Sequence, residues 1–276
     1  MESRVARILV RVGAAVTLVF LYVPLVVVVL YAFNTSVAQA WPPSGFTTKW
    51  FELAWGDVEM REGLLNSLKA GAGATSIALV LGSAAAFAVH RFRFFGSETV
   101  SFVLVLPIAL PGIVTAMALR TAIRTSGIPF SLWTIIIGHA TFCVVVVYNN
   151  VLAQLRRTPT SLVEASMDLG ADGWQTFRYV TLPAIATALL AGGLLAFALS
   201  FDEIIVTNFT SGSELTLPKW IFNAIRFPRN RPEGNAVAAA VMLLSLIPVY
   251  LAQRLTGRPE GVTARPAGGE PSEKLL

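Results

Sequence analysis

Cysteine is nearly absent. The 276 residues contain one, Cys143, which lies inside an apolar run. A single thiol forms no internal disulfide and offers no cysteine cluster to a metal. The two histidines, His90 and His139, are far apart, and the His-Glu-x-x-His spacing of a zinc hydrolase does not occur. No metal site and no catalytic residue are therefore expected. Also missing is Gly-x-x-x-x-Gly-Lys-Ser/Thr, the loop whose amides cradle nucleotide phosphates, so ATP hydrolysis is not expected of this chain. Charge is scarce as well: Asp, Glu, Lys and Arg make up 13% of the residues, against about a quarter in soluble domains. The formal net charge is +5, yet no basic face interleaved with aromatics carries it. The excess falls at the ends of apolar runs instead, and no nucleic-acid partner is expected.

What the chain has in abundance is hydrophobic residues, 55% of the total, gathered into blocks longer than a soluble core helix needs. Six spans are expected, over 12–33, 64–89, 99–119, 132–155, 184–209 and 236–255. Arg4, Arg7 and Arg11 precede the first. Together with Ala38-Gln-Ala40 they have the outline of a cleaved leader, but the apolar run is too long for one, so a retained helix is expected. Trp41, Trp50 and Trp55 in the following loop suit a membrane–water boundary. The second span is rich in Gly, Ala and Ser, which permits close helix packing, and Asn66-Ser67 are expected to cap its start. Pro107 and Pro111-Gly112 interrupt the third. With the N-terminus inside, twelve of the 21 Lys and Arg fall on cytoplasmic segments, which places both termini and the 156–183 loop in the cytoplasm. Residues 1–256 then form one transmembrane domain, and the Gly/Pro-rich tail 257–276 is expected to be disordered.

The 158–183 loop is the one long polar interruption, and it reads as two short helices. Ser161-Leu-Val-Glu164 has the capping-box spacing. Gly170 suits a left-handed stop. Asp172-Gly-Trp-Gln175 repeats the box, and Pro183 is expected to limit the second helix. Two such helices are not stable alone in water. Trp174, Phe177 and Val180 at helical spacing give them an apolar face to lay against something.

Glu164-Ala165-Ser166, then Gly170, then Val180-Thr181-Leu182-Pro183 resembles the EAA loop of ABC-importer permeases: E-A-A, three residues, G, nine residues, an aliphatic residue, any residue, L-P. Every position agrees except the second alanine, here Ser166, a small-for-small change. The resemblance extends over roughly 7–255. It implies an all-α integral membrane protein of six transmembrane helices, the type I ABC-importer permease fold, in the bacterial inner membrane. It also implies a non-catalytic subunit that works with a second homologous permease, two ATPase subunits and an extracytoplasmic substrate-binding protein. ATP and Mg would be bound by the ATPase, and no cofactor by this chain. Glu164, Ala165, Ser166, Asp168, Gly170, Leu182 and Pro183 would form the ATPase-coupling element. Within the family, Ser200-Phe-Asp-Glu203, Thr210-Ser-Gly212, Thr216-Leu-Pro218 and Ile225-Arg-Phe227 look most like the spermidine/putrescine permease subunits. Here the second acid is Glu203, and 228–235 is more basic than is usual. Opines, aminoalkylphosphonates and metal chelates are the alternative cargoes.

Acidic side chains inside a span are costly if they face lipid, so Asp202 and Glu203 are expected either to line the path or to sit at the interface, for example paired with Arg120. Adjacent residues point about 100° apart on a helix, so only one can face a given direction. Ser200 and Pro111 complete the expected substrate path. His139 and Tyr148 are expected to pack as satisfied interior residues, and Cys143 as plain core. Residues 217–226 read as an amphipathic helix opened by Pro218, suited to the interface or to a binding protein. A stand-alone secondary transporter would need more ionisable groups within its spans. An intramembrane enzyme would need an acid pair, a metal cluster or a Ser–His arrangement, and none of these is apparent.

Overall fold

A computed structural model describes residues 4–91, 102–103, 106 and 109–256, of which 246–256 are described by backbone alone. The ordered elements are helical: α1 (Arg4–Ala32), α2 (Lys49–Gly56), α3 (Val58–Arg91), α4 (Gly112–Thr125), α5 (Leu132–Arg157), α6 (Thr160–Asp168), α7 (Gly173–Thr176), a π turn (Phe177–Thr181), α8 (Leu182–Phe201), α9 (Ile205–Thr210), α10 (Leu217–Arg226) and α11 (Arg231–Thr256). Among the described residues four helical stretches are long and apolar enough to cross a membrane: α1, α3, α5 and the continuous run Gly173–Phe201. Pro107 and the tail 257–276 lie outside the described residues.

The core is a three-helix stack of α3, α5 and α8. Its shared interior holds Ala74, Ala78, Cys143, Val147, Tyr148, Val151, Ile185 and Ala196. Small residues on α3 make the close approach possible. A Cβ on Gly82 would stand 2.8 Å from the Val144 carbonyl oxygen and 3.1 Å from the Tyr148 amide nitrogen. Glycine is therefore required there for two backbones to touch. α1 lies apart from this stack, against α11, and its exposed side chains are Val, Leu, Ile and Phe over most of its length.

Several sequence expectations are corrected. The stretch 34–63 is not simply a loop: it contains α2 and the first turns of α3. Trp50 is core rather than interfacial, buried beside Ala236 and Ala239 and donating from Nε1 to the Asn34 carbonyl at 2.7 Å; Trp41 and Trp55 are exposed. Asn66 and Ser67 do not cap a helix, because α3 begins well before them. They reach across to the segment preceding α10 instead. Asn66 Nδ2 donates to the Leu215 carbonyl at 3.0 Å and to Glu214 Oε2 at 3.2 Å, and Ser67 Oγ accepts the Leu217 amide at 2.9 Å. The helix expected at 217–226 is present, with Leu217, Trp220 and Ala224 buried and Trp220 Nε1 donating to Asp57 Oδ2 at 3.0 Å.

These contacts define two ends of the bundle. Ser67 meets the α10 segment, whereas Phe87 on the same helix meets Phe177 of the π turn, with ring centroids 5.7 Å apart. Twenty residues of helix separate the two positions by about 30 Å, the thickness of a bilayer's hydrocarbon core.

Candidate functional site

Two constellations carry the residues singled out in the sequence, one at each end. At the α6–α7 end, α6 begins after Pro159 with no side-chain cap. The expected Ser161–Glu164 box is not formed, because the helix starts at Thr160 and Ser161 is already inside its first turn. The stop is as expected. Gly170 has φ +89°, its amide donates to the Met167 carbonyl at 2.9 Å, and the Ala171 amide donates to the Ser166 carbonyl at 3.0 Å. This pair of bonds is a Schellman closure. The second box is also formed. Asp172 Oδ1 accepts the Gln175 amide at 2.8 Å, and the Asp172 amide donates to Gln175 Oε1 at 3.0 Å.

Pro183 does not end the second helix. The chain stays helical from Gly173 to Phe201 because the π turn 177–181 precedes the proline, with the Leu182 amide reaching back to the Phe177 carbonyl. Proline lacks a donor and crowds the carbonyl four residues earlier, and a widened turn accommodates both defects. α7 is thus the foot of the long apolar run Gly173–Phe201.

Ser166 Oγ donates to the Val163 carbonyl at 2.8 Å and meets Thr176 Oγ1 at 3.0 Å, pinning α6 to α7. Phe177 turns inward onto Phe87, while Trp174 stacks on the outer side of Phe177, with centroids 5.7 Å apart. Only part of the expected apolar face is covered. Leu162, Met167, Trp174 and Tyr179 are exposed, and Leu169 is 89% exposed. Glu164, Ala165 and Asp168 are exposed on α6, as is Pro183 at the foot of α8, while Leu182 is half-buried.

The second constellation is a break at the end of α8, in the span that was expected to run unbroken over 184–209. α8 ends at Phe201, Asp202 follows as its C-terminal residue, and a short α9 begins at Ile205. The two acids part company here. Glu203 is half-buried, and its Oε1 accepts the Val206 amide at 2.9 Å. Asp202 is exposed. Arg120, a candidate ion-pair partner in the sequence, lies over the Phe130 ring at 5.7 Å. Ser200 is 2% exposed, and its Oγ sits 2.8 Å from His139 Nδ1; His139 Nε2 sits 2.9 Å from Thr207 Oγ1. The interior packing expected of His139 is thus borne out, with both ring nitrogens partnered. The expectation of no Ser–His pair is corrected: Ser200 and His139 meet on facing helices, both buried. Cys143 is core as expected and adds a weak bond from Sγ to the Ala196 carbonyl at 3.3 Å. Pro111 sits just before α4, which starts at Gly112 and runs past Leu119 to Thr125. α4 packs on α9, which brings Pro111 to the same end as the break.

Sequence reading did not find Asn66, Ser67 or Lys219 as tertiary anchors. Lys219 Nζ donates to Ser211 Oγ at 2.8 Å and to the Glu214 carbonyl at 3.0 Å. Burial lowers its pKa, and the Glu214 carboxylate opposes that shift. The Ser-Gly and Thr-Leu-Pro segments around it are turn signals, which hinted at an ordered loop but not at its partners.

The family described as binding-protein-dependent transport system inner membrane component matches residues 78–258. The chain belongs to this family. The match takes in both constellations. Among this member's relatives, the spermidine/putrescine transport system permease protein PotC of Escherichia coli (strain K12) is 33% identical over 236 residues, 85% of this chain and 88% of that protein. The putrescine transport system permease protein PotI of the same strain is 35% identical over 250 residues, 87% of this chain and 88% of that one. PotC of Haemophilus influenzae is 31% identical over 239 residues, 86% and 92% respectively. The fold is similar to that in the crystal structure of a bacterial ABC transporter involved in the import of the acidic polysaccharide alginate. The TM-score is 0.70 at 16% identity, covering 91% of this chain and 98% of that one. As a member of this family the chain is a membrane transport subunit rather than an enzyme.

Proposed function

We propose that this chain is one of two permease subunits of an ATP-driven importer of polyamines. In this reading it spans the inner membrane six times with both termini in the cytoplasm and encloses half of the path. A second homologous permease supplies the other half, two ATPase subunits bind ATP and Mg, and a binding protein delivers cargo outside. The observation that carries the cargo is the similarity to the spermidine and putrescine permeases over most of both chains.

The geometry supports a route for force. The α6–α7 corner is closed by its own hydrogen bonds yet leaves Leu162, Met167, Leu169, Trp174 and Tyr179 exposed, an apolar face that an ATPase groove would cover. Its foot is continuous with α8. The 29 residues Gly173–Phe201 make a rod of about 43 Å leading from that corner to Asp202. A displacement of the corner tilts the rod and moves its far end. With Glu203 engaged by the Val206 amide, Asp202 is the carboxylate left to meet a passing cation. One exposed carboxylate attracts without trapping, as release from the path requires.

The test is substrate-stimulated ATP hydrolysis by the reconstituted assembly. Spermidine or putrescine, delivered with the binding protein, should stimulate it, while neutral and anionic solutes should not. Stimulation by an anionic solute and none by a polyamine would overturn the cargo. Asp202→Asn should lower uptake of a polyamine more than it lowers basal hydrolysis.

A further inference from the structure

His139 sits on α5, 1% exposed, and faces both sides of the break at once. Ser200, on its Nδ1, belongs to the last turn of α8; Thr207, on its Nε2, belongs to α9. The direction of each bond follows from a third contact. Thr207 Oγ1 lies 2.7 Å from the Glu203 carbonyl oxygen, which can only accept, so the single hydroxyl proton of Thr207 goes there. The same hydroxyl must then accept from His139, which places the ring proton on Nε2 and leaves Nδ1 to accept from Ser200. The result is a one-way chain: Ser200 hydroxyl to His139, His139 to Thr207, Thr207 to the backbone of Glu203.

The surroundings hold the ring in this register. One turn along α5, Cys143 Sγ bonds the Ala196 carbonyl one turn before Ser200. On the other side Thr134 Oγ1 lies 2.7 Å from both the Ser131 and the Thr210 carbonyl oxygens, sharing its proton between them. Gly138 lets α9 come close, since a Cβ there would meet Val206 Cγ1 at 3.0 Å. A leucine would fill the same volume without desolvating an imidazole, and a buried polar ring is tolerated only when it is fully paired. Here both pairs straddle the break.

We infer that His139, protonated on Nε2, is a positioning residue for the transport path: it clamps the two sides of the α8–α9 break and so sets the direction in which Asp202 is presented. This rests on the reading of Asp202 as a path carboxylate.

The test compares the assembled transporter carrying His139→Leu, His139→Gln, Ser200→Ala, Thr207→Val or Asp202→Asn with the parent, for spermidine uptake into proteoliposomes. His139→Leu, Ser200→Ala and Thr207→Val should each raise KM by about threefold to tenfold, as expected for one or two hydrogen bonds lost from a buried group. KM should change more than kcat. His139→Gln, whose amide offers both a donor and an acceptor, should recover most of the loss. Spin labels on Leu199→Cys and Asn208→Cys, both exposed positions flanking the break, read its geometry directly. His139→Leu should broaden their distance distribution, and His139→Gln should narrow it again. If Ser200→Ala and Thr207→Val keep the parental KM and a narrow distribution while Asp202→Asn lowers uptake, the clamp is overturned. Unchanged uptake in Asp202→Asn sinks the path reading by itself, whatever the labels report. A His139→Leu chain that fails to assemble is decided by the two single-ended variants.

Discussion

Ser166 and Thr176 meet hydroxyl to hydroxyl, 3.0 Å apart, across the corner between α6 and α7. Thr176 is buried there, and Ser166 stands where the EAA pattern has its second alanine. In this chain a hydrogen bond between the two side chains closes the corner.

That bond should be measurable as a coupling energy. In a double-mutant cycle of Ser166→Ala and Thr176→Val, unfolding in mixed micelles should give an interaction of about 0.5–1.5 kcal/mol, the usual net value of one hydrogen bond. Strict additivity would show that the contact contributes nothing.

Gly170 isolates a purely conformational effect. A Cβ at this position meets nothing within 4 Å, but φ is +89°. Gly170→Val should therefore cost about 1–2 kcal/mol of local stability and undo the Schellman closure. The chain should still insert in the membrane while co-purifying poorly with the proposed ATPase partner. Gly170→Asn, which tolerates the left-handed region better, should lie between. Normal ATPase association in Gly170→Val would remove this corner from the coupling route.

Gly82 presents the opposite case, where space decides. Gly82→Ala drives a methyl into the Val144 carbonyl and should destabilise the α3–α5 contact by about 1–3 kcal/mol, seen as a lower melting temperature of the purified chain. Gly13→Ala on α1, with nothing within 4 Å of the added methyl, should leave that temperature unchanged or slightly raised.

Ser67 anchors the far end. Its Oγ accepts the buried Leu217 amide, so Ser67→Ala leaves that donor unpaired at a cost of about 1–3 kcal/mol. Hydrogen exchange over 217–226 should speed up while exchange in the α5 core stays at the parental rate. Unaltered exchange over α10 would mean that the anchor is not what seats this helix.

Local chemistry was legible wherever a residue's partner lies within a few positions. The Asp172–Gln175 box, the Gly170 stop and the extent of 217–226 all belong to this kind, because backbone hydrogen bonding and left-handed φ are decided over three or four residues. The Ser161–Glu164 box has the right spacing and failed for a related reason: with Pro159 at the N-cap the helix starts two residues earlier, leaving Ser161 no free end to cap.

Residue order by itself determined that the chain is an apolar helical membrane protein with one self-closed polar corner, since periodicity, burial preference and turn chemistry are properties of short windows. Only the tertiary structure decided that the helix through Gly173–Phe201 breaks at Asp202, that a π turn carries α7 past Pro183 into α8, and that His139 joins Ser200 and Thr207, which lie 61 and 68 positions away. Those outcomes depend on which helix stands beside which, and a buried polar group can be assigned a partner only once its neighbours are known.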